Sequence, residues 1–125
     1  MSEAMADKTP AHAAEVVAEQ WRAVLGYGPD AIRPAMVEAA YAQPRLRELY
    51  PSLSHGILLL SRWTGYPPDR AVPAVHPVAG GGYQITRHGE GRLGETATAE
   101  EAYALVVAHL PERCGPAVIG TEADL

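Results

Sequence analysis

The sequence predicts one α+β domain over residues 9–125: a small antiparallel sheet of three or four strands, packed by N-terminal helices and one C-terminal helix. Three observations carry that expectation. Apolar residues recur at helical spacing before residue 43 and again over 98–110. Between those stretches lie a short apolar run, Gly56–Leu60, and two β-like segments hinged on glycines. Strands grouped together, rather than alternating with helices, indicate antiparallel pairing. A length of 125 residues suits one compact domain.

Residues 1–8 are polar and read as disordered. Thr9 and Pro10 form a helix start, an N-cap hydroxyl followed by proline at the first helical position. Val17, Trp21, Val24 and Leu25 make one apolar stripe, and Gly26 stops the helix. Asp30 is placed to cap a second helix through about Ala42, with Pro34 tolerated in its first turn and Ile32, Met36 and Ala40 facing inward. Pro44 ends it, and Arg45–Tyr50 reads as a short third helix or turn. The first strand is expected from His55 to about Trp63. Ile57, Leu59, Ser61 and Trp63 share one of its faces, and Leu58, Leu60, Arg62 and Thr64 the other. Neither face is polar until the end, so this strand reads as central or covered on both sides.

Residues 65–73, GYPPDRAVP, form a proline-rich loop. Residues 74–78 and 82–88 read as a hairpin turning on Ala79, Gly80 and Gly81, with Pro77 pushing the first strand to an edge. Residues 89–94 read as a loop. Thr98 to Glu101 spell a capping box for a helix to Leu110, with Ala102, Leu105, Val106 and His109 on one face. The tail PAVIGTEADL reads as a short edge strand or a cover over the core.

Composition excludes some classes of function. The net charge of −5 opposes nucleic-acid binding, which needs a basic face for phosphates. Cys114 is the single cysteine, so no intrachain disulfide and no cysteine metal cluster forms, and a reduced, cytoplasmic location is the default expectation. The acidic N-terminal stretch has no apolar core of a signal peptide, and no apolar run approaches the roughly 20 residues of a membrane span. Nine of the ten basic residues are Arg. Genomic base composition accounts for such a bias, as does a need for bidentate carboxylate pairing.

Chemistry concentrates around the first strand. His55 suits acid–base work near neutrality, or else hydrogen-bonds the backbone at a chain corner. Arg62 ends an apolar strand and must be paired there, either with a helix carboxylate such as Glu38 or Glu48 or with a carboxylate on a ligand. Arg47 and Arg87 share that ambiguity. Ser54, Ser61 and Thr64 belong to no nucleophile elbow. Trp63, Tyr66 and Tyr83 suit a ligand groove or replace the missing Phe in the core. His55, His76 and His88 show no metal-ligand spacing, so no metal is expected. Gly80–Gly82 lacks the GK[ST] of a phosphate loop.

The segments LRELYPSLSHGILLLSRWTGYP, HPV followed by GGGYQITR, TAEEAYALVVAHLP and CGPAVIGT together span roughly residues 39–121. Their pattern resembles a family of small actinobacterial natural-product-biosynthesis proteins. Within that group it is similar to the lysinoalanine-forming proteins of cinnamycin- and duramycin-type lantibiotic clusters. The resemblance implies a homodimer acting on a modified precursor peptide; no cofactor is expected, and the cytoplasmic location and the absence of nucleic-acid or membrane partners are the expectations of composition above. It implies addition of a peptide lysine amine to a dehydroalanine of the same peptide, with a hydroxyaspartate of the substrate assisting. On that view Arg62 and His55 form the polar centre, orienting a carboxylate and moving protons. Ser61, Thr64, Tyr66, Tyr83, Arg47 and Arg87 bind the peptide. A non-catalytic accessory protein that binds a biosynthetic enzyme or precursor peptide fits the same residues, as does a small-molecule cyclase or isomerase.

Overall fold

A computed structural model describes residues 8–125. The expected disorder at the N-terminus falls on residues 1–7, outside the described residues. Lys8, the last residue of that stretch, is described and pairs with Asp124 at 2.9 Å. The fold is α+β, as the grouping of strands predicts, with antiparallel sheets.

Helix α1 spans Pro10–Leu25. Thr9 caps it, its hydroxyl accepting from the His12 N–H at 3.2 Å. Ala13, Val17, Trp21 and Val24 are its buried face, whereas Leu25 turns out to solvent. Helix α2 spans Pro34–Tyr41 and begins four residues after Asp30. Proline at its first position fixes a helical φ and loses no hydrogen bond there. Helix α3 is the single turn Pro44–Arg47. Helix α4 spans Ala99–Ala108 behind the expected capping box, in which Thr98 and Glu101 satisfy each other's backbone N–H groups. Its buried face includes Tyr103 as well as Ala102 and Val106.

The strands depart from expectation in three ways. The single first strand is a hairpin, β1 Tyr50–Ser54 and β2 Ile57–Ser61, with Ser54 opposite Ile57. His55 and Gly56 are its two-residue turn, with φ of 53° and 79°. Positive φ at both central residues matches the right-handed twist of the flanking strands. Second, residues assigned to a loop form β5, Gly91–Thr96. It pairs with β4, Tyr83–Arg87, which pairs in turn with β3, Ala74–Pro77. Third, the five strands make two small sheets, β1–β2 and β3–β4–β5, rather than one.

The β1–β2 hairpin has two unlike faces. Leu58 and Leu60 point into the core with Met36, Leu46, Leu49, Val75, Ile85 and Val106. Burying each such side chain stabilises the fold by about 1.5–3 kcal/mol. On the opposite face, Tyr50 is paired with Ser61 and Ser52 with Leu59; Ser61 is buried and Tyr50 packs against the core, while Ser52 and Leu59 are half-buried. Helix α1 lies along β1, with the Gln20 side chain donating to the Pro51 carbonyl and the Trp21 indole to the Leu49 carbonyl, both at 3.0 Å. Those bonds satisfy backbone carbonyls that the strand edge leaves open.

The tail crosses the exit of β2 as a short parallel strap. Val118 bridges Trp63. The Val118 N–H donates to the Arg62 carbonyl, and the Thr64 and Gly65 N–H groups donate to the Val118 and Gly120 carbonyls. Gly65 is required by this approach, since a Cβ there would collide with the Gly120 carbonyl oxygen. Among the described residues, no helix is long and apolar enough to cross a membrane.

Candidate functional site

The outer face of the hairpin is the floor of an open cleft of about 790 Å³. Tyr50, Ser52, Leu59 and Ser61 lie on that floor. One wall is the loop from Thr64 to Val72; the other is formed by Ala74, Thr86 and His88, on and just beyond the strands of the second sheet. The volume is that of a small-molecule or short-peptide site. Apolar surface from Leu53, Leu59, Pro67, Pro68 and Val72 alternates with hydroxyls.

The loop wall is fixed from below by Asp69, whose side chain is 1% exposed. One carboxylate oxygen accepts from the Arg62 Nε at 2.5 Å and from the Arg62 backbone N–H at 3.3 Å. The other accepts from the Arg62 Nη2 at 3.3 Å and from the Ala71 N–H at 2.9 Å. The hydrogen bond to Asp69 raises the Arg62 pKa above its already high ordinary value, although burial opposes this. Ser61 Oγ accepts from the backbone N–H groups of Trp63 and Asp69, each at 3.2 Å. The Trp63 indole donates to the Pro67 carbonyl at 2.7 Å. The Tyr66–Pro67 peptide is cis, and the Tyr66 ring stands at the rim, 88% exposed. At the far wall Arg70 Nη1 lies 3.4 Å from His88 Nε2.

A family model described as a family of unknown function, DUF6193, matches residues 15–121. The chain belongs to that family. The DUF6193 span contains the whole cleft and the strap behind it. No curated protein and no solved structure matches the chain significantly.

Within this DUF6193 domain the residues expected at the site separate. Ser61, Thr64 and Tyr66 line the cleft. His55 and Arg62 do not, and they do not share a site. His55 sits at the hairpin tip and Arg62 beyond the other end of β2, roughly 20 Å apart along a strand that rises about 3.3 Å per residue. His55 Nδ1 meets only the neighbouring Ser54 hydroxyl, at 3.3 Å. Arg62 is bound by Asp69, seven residues on, and not by Glu38, Glu48 or an open ligand position. Its guanidinium also lies 5.6 Å from the centre of the Trp63 ring.

The remaining expected binders are structural in their contacts. Tyr83 is buried at the start of β4. Arg47 donates to the Tyr41 carbonyl at 2.8 Å and lies over the Tyr41 ring, capping the end of α2. It borders a second, smaller hollow of about 440 Å³ with Trp21 and Pro44. Arg87 pairs with Glu90 at 2.5 Å and donates to the His109 carbonyl at 2.6 Å, tying β4 to the end of α4. His76 reaches Thr86 Oγ1 at 3.0 Å, and no cluster of potential metal ligands occurs among the described residues.

Sequence reasoning missed Tyr50, Ser52, Asp69 and Arg70. The first two were hidden because the sequence reads as a short third helix or turn through Tyr50 and a first strand beginning only at His55. The second two had a signal, the acid–base dipeptide Asp69-Arg70 inside a proline-rich loop, where charge has a purpose beyond solubility.

Proposed function

We propose that the chain binds a modified precursor peptide of natural-product maturation in this cleft and promotes closure of a lysinoalanine crosslink by holding the peptide folded. The observation that carries the reading is the cleft itself: an open hollow of about 790 Å³ over a hairpin floor where Ser52 and Ser54 stand beside Leu53 and Leu59. Such a surface suits an extended or turned peptide, which offers amides to hydroxyls and side chains to apolar patches.

The reaction implied by the resemblance needs little from the protein. The lysine Nζ forms a bond to the dehydroalanine Cβ, the C=C π bond breaks, and the proton lost by the amine ends on Cα. Nothing is oxidised and mass is unchanged. Holding the two groups in contact supplies much of the acceleration available to such a ring closure. In this reading the His88 imidazole, which lines the cleft, relays the proton.

A second reading, a non-catalytic accessory protein that binds the peptide or a pathway enzyme, is favoured by one observation. Arg62 is committed to Asp69, and His55 stands outside the cleft. Incubation with a dehydrated, hydroxylated peptide, followed by trapping of residual dehydroalanine with a thiol, separates the two. Loss of thiol adduct in proportion to protein supports the cyclase. Saturable binding with undiminished adduct supports the accessory protein. Absence of peptide binding ends the cyclase and the peptide-binding accessory, and co-purification with a pathway enzyme then tests the remaining accessory role.

A further inference from the structure

The cleft's charge is unevenly arranged. Its one acidic lining residue, Asp69, is buried and accepts four N–H groups, two of them from the Arg62 guanidinium. Its charge is therefore spent inside the wall. Arg70, the next residue, lines the cleft and is exposed. Among the described residues no carboxylate lies within ion-pairing distance of it, and its side chain meets only His88. Arg62, Arg87 and Arg92 each hold a carboxylate, and Arg45 and Arg47 hold backbone carbonyls. In a chain of net charge −5, the cleft thus keeps one uncompensated guanidinium.

The backbone beneath it is preorganised. Asp69 accepts from the Ala71 N–H at 2.9 Å, closing a tight turn around Arg70, while the Asp69 N–H is itself held by Ser61. A fixed backbone and an imidazole alongside reduce the ordering cost of capturing an anion.

We propose that Arg70 and His88 form an anion-recognising end of the cleft, and that the ligand places a carboxylate there. A guanidinium matches a carboxylate in charge and in its two-pronged geometry. A phosphate dianion would call for more than the one permanent cation present. The proposal rests on the cleft being a peptide site, and deepens it by naming an acidic side chain of the peptide as the recognised group.

The test uses two N-acetylated, C-amidated hexapeptides of Gly, Ser and Tyr, one carrying a single Asp and the other Asn in its place. Nitrogen-edited NMR at low salt follows the Arg70 Nε–H and His88 ring signals. The Asp peptide is expected to shift both saturably and to bind about tenfold or more tightly than its twin, the advantage of a charge-assisted contact. Arg70→Ala is expected to erase that difference, Arg70→Lys to keep part of it, and Arg92→Ala to leave it intact. Equal binding of the twins, or discrimination surviving Arg70→Ala, overturns the carboxylate assignment while leaving the peptide cleft standing. Tighter binding of inorganic phosphate than of the Asp peptide also overturns it. If neither peptide shifts any cleft signal, both the assignment and the cleft reading fail. None of these outcomes depends on crosslinking.

Discussion

Replacing Asp69 by Ala removes the acceptor for four N–H groups and strands a guanidinium whose side chain is only 13% exposed. Breaking a buried ion pair from one side costs about 3–5 kcal/mol, because the surviving charge is left without a partner. Arg62 keeps some access to water, which favours the lower half of that range. About 3–4 kcal/mol is a large share of the roughly 5–15 kcal/mol that stabilises a domain. At about 4 °C per kcal/mol for a chain of this size, the midpoint should fall by roughly 12–16 °C. Urea unfolding read by tryptophan fluorescence is the assay, since Trp21 and Trp63 are both buried. Arg62→Met combined with Asp69→Ala should be more stable than Asp69→Ala alone, because the orphan charge is gone. A loss below about 1 kcal/mol, the range of exposed pairs, would refute the reasoning. So would a double variant no more stable than the single one.

Other consequences follow from single groups. Among the described residues the buried Tyr103 hydroxyl has no hydrogen-bond partner, so Tyr103→Phe should stabilise the fold by about 1–3 kcal/mol in urea; destabilisation would show that the hydroxyl is satisfied. Burial, with a smaller contribution from Tyr83, pushes the Tyr103 pKa well above its ordinary value near 10. The unfolded chain therefore loses this proton first, and stability is expected to fall as pH rises past about 10, less steeply in Tyr103→Phe. His55 occupies left-handed backbone, so His55→Asn should leave cleft binding unchanged and gain up to about 1 kcal/mol; loss of peptide binding would restore a functional purpose to His55. Gly65→Ala should cost about 1–3 kcal/mol and speed amide exchange at Gly65 and Val118; unchanged exchange would argue against the strap contact.

Two helix starts were legible because their chemistry is local, whereas the helix expected behind Asp30 begins only at Pro34. Thr9 with Pro10, and Thr98 with Glu101, act within one turn. The β1–β2 hairpin was not, because its turn is His-Gly rather than Asn-Gly or Asp-Gly, and because Pro51 in β1 reads as a break. Strand β5 carries two glycines, an arginine and a glutamate, so it lacks the alternation that marks a strand. Ser61, Thr64 and Tyr66 were found because they follow an evident apolar run. Arg62 was assigned to a ligand or a helix carboxylate because sequence alone does not show that the proline-rich loop folds back and presents Asp69. The cleft depends on how two small sheets meet, which no local pattern encodes.

The strap joins residues 56 positions apart, Thr64 and Gly120, by a bond to the Thr64 side chain and parallel backbone bonds around it. Closing so long a loop comes late in folding, after the neighbouring hairpin has formed. The exit of β2, behind the cleft, is then among the last parts to be completed and among the first to open. Amides there should exchange through small local excursions, while those of Leu58 and Leu60 wait for the whole core to come apart. A shift of Thr64 and Gly65 in the cleft wall would be felt first by the distal end of the chain, which is bonded to both.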